Sequence, residues 1–272
     1  MTLALIAVLA GALIGLSLGA LGGGGSILAV PVLVYALGQS PIQATTGSLV
    51  VVGVTSLTGA LAAWRAGNLL PGRGVAFGLV AIVGAAAGAK ASAHVDGAVL
   101  LAAFAVLMLL VGGLMAVRQF RGGSSTTAER PTLDDPIITF SPTFACQCPR
   151  ALKVLVTATV VGLLTGFLGV GGGFLVVPAL LLGLGLPIRY AAGTSLVVIS
   201  MTSAAALAIR AGTGLHPDWW LVLLLTAASA AGGYAGVRLA CHTDTKRLAG
   251  AFTALVLAVA VYTASQALPA LL

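Results

Sequence analysis

The chain has 272 residues, of which 59% are hydrophobic and only 7% are charged. A soluble domain carries about 25% charged residues, so this composition excludes a water-soluble globular protein and predicts one that lies in a membrane. The formal net charge of +7 does not indicate nucleic acid as a partner, because membrane topology accounts for the basic residues.

Apolar runs of about 20 residues follow one another along the chain, and this is the length of an α-helix that crosses a bilayer. The stretch from Met1 to Ala20 has no positively charged start, so we interpret it as the first helix and not as a cleaved signal peptide. We expect an all-α polytopic membrane protein. Its predicted segments are 3–20, 25–37, 42–64, 73–92 and 97–117, then 152–168, 172–185, 189–209, 217–240 and 245–267.

These segments form two copies of one pattern. The matched stretches are 21–31 with 168–178, 44–52 with 191–199, 65–67 with 210–212, and 93–104 with 241–252. Ordered matches of this kind indicate a duplicated architecture. We therefore expect a first transmembrane repeat over 1–117, a polar cytoplasmic connector over 118–150 and a second transmembrane repeat over 151–272.

The basic residues predict the orientation of the repeats, because short cytoplasmic loops collect Lys and Arg. If each repeat makes an odd number of crossings and the connector is cytoplasmic, 11 of the 13 basic residues lie inside, all except Lys90 and Arg210. An even number leaves eight inside and five outside. We expect two inverted repeats in the inner (plasma) membrane, with both termini outside. Such repeats are typical of secondary transporters, although duplication of a membrane scaffold would give the same pattern.

The second segment of each repeat is too short to cross the bilayer core and contains a proline, Pro31 or Pro178. The prolines predict broken or kinked helices, which we expect to meet near the midplane of the membrane. Unpaired N–H groups at a helix start, with the positive end of the helix dipole, can bind an anion. The candidates are Gly22, Gly23, Gly24, Gly25 and Ser26, and Gly169, Gly171, Gly172 and Gly173. Close packing of thin helices is the alternative reason for these glycines.

Polar residues at the start of each third segment are the next candidates. They are Thr45, Thr46 and Ser48 in the first repeat, and Gly193, Thr194 and Ser195 in the second. The hydroxyl groups can cap the helix or donate hydrogen bonds to the oxygens of a ligand. With the glycine turns, they predict a neutral polar pocket for a small anionic substrate.

The pattern Leu-Gly-x-Gly-Gly-Gly, followed by x-x-x-x-Pro and by Ala-x-Gly-Thr-Ser, resembles the sulfite exporter TauE/SafE family of membrane transporters. The resemblance extends over the chain outside the connector. Eight residues of the second copy match the family pattern, namely Gly169, Gly171, Gly172, Gly173, Pro178, Gly193, Thr194 and Ser195. The first copy differs, with Ser26 after its glycines and Thr46-Gly47-Ser48 in place of Gly-Thr-Ser. The resemblance implies a secondary transporter, usually an exporter, of a sulfur-containing anion such as sulfite, sulfoacetate or another organosulfonate.

Charged residues in a membrane are costly, so each raises the question of function. Arg65 and Arg210 end the third segments, where they can attract or gate an anion, or extend to the interface with water.

Two His-x-Asp triplets follow the fourth segments, His94 with Asp96 and His242 with Asp244. They can relay protons, or the Asp side chains can cap the next helix. No carboxylate lies deep within a predicted helix, so the coupling ion, a proton or sodium, stays open.

Cys146, Cys148 and Cys241 fit neither a disulfide framework nor a zinc ribbon. Two alternative functions stay open, a membrane redox or sulfur-carrier protein that uses Cys146 and Cys148, and a permease for another small ion. The sequence contains no Walker loop, paired metal-binding His or nucleophile elbow, so we expect neither an enzyme nor a bound cofactor or metal.

Overall fold

The structure, a computed structural model, describes residues 2–23, 25–92, 94–95, 97–120, 148–168, 173–183, 186–210, 218–241 and 245–267. These residues form ten α-helices and no strands, as the composition predicts. The helices are α1 (Thr2–Leu21), α2 (Ser26–Pro31), α3 (Pro41–Arg65), α4 (Pro71–Ser92), α5 (Gly97–Phe120), α6 (Cys148–Leu168), α7 (Gly173–Gly183), α8 (Ile188–Arg210), α9 (Trp219–Cys241) and α10 (Thr245–Ala267). Within this part of the chain, α1, α3, α4, α8 and α9 are long and apolar enough to cross a membrane.

The outer surface of the helix bundle is apolar, which suits contact with lipid. Large side chains such as Leu13, Leu57 and Val83 are exposed there. In water such a surface would be an aggregation hazard, whereas in a bilayer it meets acyl chains.

The two short helices, α2 and α7, are the predicted second segments. α2 has six residues and continues, directly after Pro31, as a π-helical turn over Val32–Ala36. Proline has no N–H to donate and its ring crowds the preceding turn, so the predicted break occurs at Pro31. α7 has 11 residues and passes through Pro178 without a change of helix type. At about 1.5 Å per residue, neither helix crosses a bilayer core by itself.

The start of α3 is set by its local sequence. The Ser40 hydroxyl accepts from the Gln43 N–H at 3.4 Å, and the Gln43 side chain accepts from the Ser40 N–H at 3.3 Å. This capping box, with Pro41 at the first helical position, satisfies donors that a helix start leaves unpaired. The polar residues Thr45, Thr46 and Ser48 therefore lie in the first two turns of α3.

The helix packing has an approximate twofold pattern. α1 packs along α9, and α6 packs in the same way along α4. α3 packs on α9 and α8, whereas α8 packs on α4 and α3. α5 packs along α10.

Glycines bring the paired helices into backbone contact, as small residues do in membrane proteins. A Cβ atom on Gly84 would collide with the carbonyl oxygen of Thr159, and one on Gly232 would collide with that of Ala12. Thr159 lies 147 residues after Ala12, and Gly232 lies 148 residues after Gly84. This contact between α4 and α6 therefore recurs at the corresponding residues of α9 and α1.

The same contacts give the relative directions of the helices. Gly53 lies against Ser203 and Gly59 against Leu196, so α3 and α8 run antiparallel. Four other pairs run parallel. α1 lies along α9 through Gly11 with Leu225 and Gly19 with Gly233, and α3 lies along α9 through Gly47 with Val222 and Thr55 with Gly233.

α4 lies along two helices in the same way. It contacts α6 through Gly84 with Thr159 and Gly88 with Leu163, and α8 through Gly74 with Thr194 and Gly78 with Met201.

The connector over 118–150 stays a prediction, and the structure describes only its two ends. α5 continues through Phe120 and α6 begins at Cys148. Helical backbone therefore extends into both ends of the predicted segment, and the residues between, 121–147, lie outside the described residues.

Replacing Gly162 by alanine is expected to destabilise the bundle, because the new Cβ would collide with the Ala81 carbonyl oxygen on α4. The expected loss is about 1–3 kcal/mol, as for overpacking of a close contact. The measurement is the thermal unfolding midpoint of the detergent-purified variant. Gly113→Ala is the matched control, because a Cβ there meets no atom within 4 Å. Equal midpoints for the two variants would contradict this account of the packing.

Candidate functional site

The two glycine stretches meet between the halves of the protein. Gly22 ends α1 with φ +71°, a conformation that favours glycine, and a Cβ on Gly22 would collide with Ala192 of α8. A Cβ on Gly23 would likewise collide with the backbone of Gly173, at the start of α7. We call Gly22–Gly23 with Gly173 the glycine break. The predicted candidates Gly24, Gly169, Gly171 and Gly172 lie outside the described residues.

Two serine hydroxyls hold the glycine break in place. The buried Ser195 of α8 donates to the carbonyl oxygen of Gly22 or to that of Ala192, the latter at 2.7 Å. Ser26, also buried, donates to the Gly23 carbonyl oxygen at 2.7 Å. Carbonyl groups without partners are costly inside a membrane, and these hydroxyls supply the missing donors. In this conformation the two serines therefore stabilise the break itself.

The other predicted hydroxyls also bond to the protein. Thr46 donates to Ile42 O at 3.2 Å and Ser48 to Thr45 O at 2.9 Å, both within α3. The Thr194 hydroxyl accepts from the Leu70 N–H at 3.2 Å. A Cβ on Gly193 would collide with Asn68 O. Thr194 and Gly193 therefore join α8 to the loop between α3 and α4.

Arg210 forms a buried cluster at the end of α8. Its side chain is 7% exposed. Nη1 donates to the Thr45 hydroxyl at 2.7 Å, and Nη2 donates to the Ser92 hydroxyl at 2.7 Å and to Gly166 O at 3.1 Å, with Phe167 O at 3.5 Å. We call these five residues the Arg210 cluster. A charge is costly inside a membrane unless it is well satisfied, and here one guanidinium joins α8 to α3, α4 and α6.

Arg65 is not the structural counterpart of Arg210, although both begin an Arg-Ala-Gly triplet. Arg210 lies 19 residues after Ala191, and Ala63 lies 19 residues after Ala44. Because α3 and α8 are unbroken over these stretches, the register is kept and the counterpart is Ala63. Arg65 is two residues further, about 200° around the helix. It is accordingly exposed, whereas Ala63 and Arg210 are buried.

A small, half-open cleft of about 30 Å³ adjoins the glycine break. It lies between the ends of α1, α3 and α9 and the start of α8. Its lining residues are Gly19, Ala20, Ala63, Asn68, Arg189, Ala192, Gly193, Leu196, Val237 and Ala240. Ala192 contacts Gly22 and also lines the cleft. The cleft therefore leads from one end of the bundle to the break between the halves.

The sequence interpretation missed several buried hydroxyls. Ser92 binds Arg210, but no second copy of it exists in the other half to draw attention to it. Thr55-Ser56 in α3 and Thr202-Ser203 in α8 are buried, and among the described residues the hydroxyls of Ser56 and Ser203 have no hydrogen-bond partner. The two pairs are 147 residues apart, the spacing of the repeat, so comparing the chain with itself would have found them.

The His-x-Asp triplets and the cysteines stay as predictions. His94 is exposed, with Nδ1 3.2 Å from Lys90 O. Asp96, His242, Asp244 and Cys146 lie outside the described residues, as do the side chains of Cys148 and Cys241. Within the described part of the chain, no group of three or more His, Cys, Asp or Glu residues could hold a metal ion.

The family model described as Sulfite exporter TauE/SafE matches residues 7–263. The chain belongs to the sulfite exporter TauE/SafE family. This TauE/SafE protein is a multi-pass membrane transporter, in agreement with the apolar helices of the structure.

Two relatives of the TauE/SafE protein carry the same general description. "Probable membrane transporter protein" of Xylella fastidiosa (strain Temecula1) is 34% identical over 256 residues, which cover 93% of this chain and 91% of the relative. "Probable membrane transporter protein YdhB" of Bacillus subtilis (strain 168) is 27% identical over 231 residues, which cover 83% of this chain and 86% of the relative. No solved structure gives a significant match.

Ser195→Ala is expected to destabilise the TauE/SafE protein by about 1–3 kcal/mol, because it leaves the buried Gly22 carbonyl without its donor. Ser200→Ala is the matched control on the same helix, where the half-buried hydroxyl donates only to Val197 O. Thermal unfolding of both purified variants provides the comparison. If Ser195→Ala were as stable as Ser200→Ala, the bond between α8 and the glycine break would not contribute.

Proposed function

We propose that this TauE/SafE protein is a secondary transporter that exports a small sulfur-containing anion, such as sulfite, sulfoacetate or another organosulfonate, across the inner (plasma) membrane. One observation carries the proposal, the cleft that leads from the end of the bundle to the glycine break. Family membership supports transport in general, and the chemistry of the cleft supports an anion.

The residues that line the cleft suit a small anion. Arg189 supplies a positive charge and Asn68 an amide, and no Asp or Glu lines the cleft. Arg189 is exposed, and a cationic group at the opening of a cleft raises the local concentration of anions. Small side chains such as Ala192 and Gly193 leave the backbone accessible to a compact solute.

The two halves are inverted with respect to each other in this proposal, and the helix directions support it. α1 runs parallel to α9 and, through α9, to α3. α3 runs antiparallel to α8, which is parallel to α4 and, through α4, to α6. α1 therefore opposes its counterpart α6, as α3 opposes α8. Two related halves that face opposite ways allow two access states of similar energy.

The basic residues support a cytoplasmic position for the cleft. At its end of the bundle lie Arg65, Arg73, Arg189 and Arg238, and at the opposite end lie Lys90 and Arg210. Cytoplasmic ends of membrane helices collect such charges. The connector is then inside and both termini are outside.

Purified protein in liposomes is expected to release radiolabelled sulfite or sulfoacetate faster than protein-free liposomes. Imposed pH and sodium gradients, applied one at a time, identify the coupling ion by the gradient that changes the rate. Phosphate and chloride serve as comparison anions. The absence of flux for every sulfur anion, with protein that is folded and inserted, would contradict the proposed substrate class.

Arg189→Gln is expected to raise the KM for the transported anion roughly threefold or more at low ionic strength, with a smaller effect at high salt, because its charge attracts the anion. Arg73→Gln is the matched control, since Arg73 lies at the same end of the bundle but does not line the cleft. The measurement is initial flux at several anion concentrations. Equal effects of the two substitutions would show that the net charge of this end matters and not the cleft.

A further inference from the structure

Arg210 and the cleft occupy equivalent places in the two halves. Residues of α1 and α3 correspond to those 147 positions later in α6 and α8, and residues of α4 to those 148 positions later in α9. Five cleft-lining residues and their counterparts are Gly19 with Gly166, Ala20 with Phe167, Ala63 with Arg210, Ala192 with Thr45, and Ala240 with Ser92. The counterparts are the five members of the Arg210 cluster.

The same place is therefore open at one end of the protein and filled by a side chain at the other. At the open end, Ala63, Ala192 and Ala240 contribute only methyl groups. At the filled end, the guanidinium of Arg210 lies between two hydroxyls and the carbonyl oxygens that end α6. The hydroxyls of Thr45 and Ser92 are the groups that the alanines lack, so only one end is built to hold an arginine.

We infer that Arg210 is a plug that closes one entrance of the transport path, and that the cleft is the equivalent entrance in its open form. The inference rests on the proposed transport function. Passage to the far side requires Arg210 to leave Thr45, Ser92 and the α6 carbonyl groups. Among the described residues, the place is open at the Ala63 end and filled by Arg210 at the other.

An anion with two or more oxygen atoms can release the plug by binding the Arg210 guanidinium in place of its present acceptors. A guanidinium binds two oxygens of one sulfonate or sulfite through paired, charge-assisted hydrogen bonds, which are about twice as strong as neutral ones. Such a solute replaces the hydroxyl and carbonyl acceptors that hold Arg210. A monatomic anion such as chloride offers no pair of acceptors, so the plug selects for oxyanions.

Thiol accessibility tests the plug without any transport assay. In detergent-purified protein with Cys146, Cys148 and Cys241 replaced by serine, the counterparts Val237 and Ala89 are each changed to cysteine. Iodoacetamide is the labelling reagent, because it is small, polar and uncharged, carries no oxyanion that could release the plug, and reaches both ends of the protein in detergent. Val237→Cys is expected to react at least tenfold faster than Ala89→Cys, after normalisation to the denatured proteins.

Removing the plug should expose the closed end. Adding Arg210→Ala is expected to raise the labelling rate of Ala89→Cys at least tenfold, whereas Arg65→Ala, the matched control at an exposed arginine, leaves it unchanged. Sulfoacetate should also raise the rate in the protein that keeps Arg210, and chloride should not. Equal labelling of Val237→Cys and Ala89→Cys, or no response to Arg210→Ala, would overturn the plug.

A second variant tests the plug even if Arg210→Ala does not fold, because it introduces the same cluster at the cleft. Ala63→Arg with Ala192→Thr and Ala240→Ser rebuilds the Arg210 cluster at the cleft and is expected to slow labelling of Val237→Cys at least tenfold. An unchanged rate would contradict the inference. Flux of sulfur anions is measured separately from labelling. If the labelling is as expected but no sulfur anion is transported, only the proposed substrate class is contradicted. If sulfur anions are transported but the labelling is equal or reversed, only the plug is contradicted.

Discussion

Polar groups inside a membrane have to find partners within the protein, and the candidate site depends on this constraint. The glycine break exposes carbonyl groups of Gly22 and Gly23, and Ser195 and Ser26 supply their donors. The guanidinium of Arg210 finds its acceptors on three other helices. Each of these bonds ties chain segments together, and each has to change if the protein is to alternate between two states.

Backbone contacts through glycine give the two halves similar packing, because glycine contacts between α4 and α6 recur at the corresponding residues of α9 and α1. The halves differ at one buried position in particular, where Ala63 stands in one half and Arg210 in the other. A symmetric pair of halves would have two equal entrances. In the proposed plug, one substituted position, with two hydroxyls to receive it, closes one entrance while the other is open.

The Arg-Ala-Gly triplets illustrate how far local similarity could predict the site. The triplets pair Arg65 with Arg210 in the sequence. The helices α3 and α8 are unbroken, however, so the position that corresponds to Arg210 is Ala63. Arg65 lies two residues after Ala63, and two residues turn a side chain to nearly the opposite face of a helix. The hydroxyl candidates lie at the starts of α3 and α8, as the sequence predicts. For α3 the start is visible in the sequence, because Ser40 and Gln43 form a capping box and Pro41 is the first helical residue. Their partners were not predictable, since Gly22 meets Ser195 only through contacts between distant segments.

The sequence by itself determined the membrane class, the family, the duplicated pattern and the positions of the short helices. These follow from composition, run length, glycine and proline, all of which act locally along the chain. Only the tertiary structure decided that Ser195 anchors the glycine break, that Arg65 is exposed while Arg210 is buried, and that a cleft lies beside the glycine break. Those outcomes depend on which helix faces meet, and that is set by close packing between residues well over a hundred positions apart.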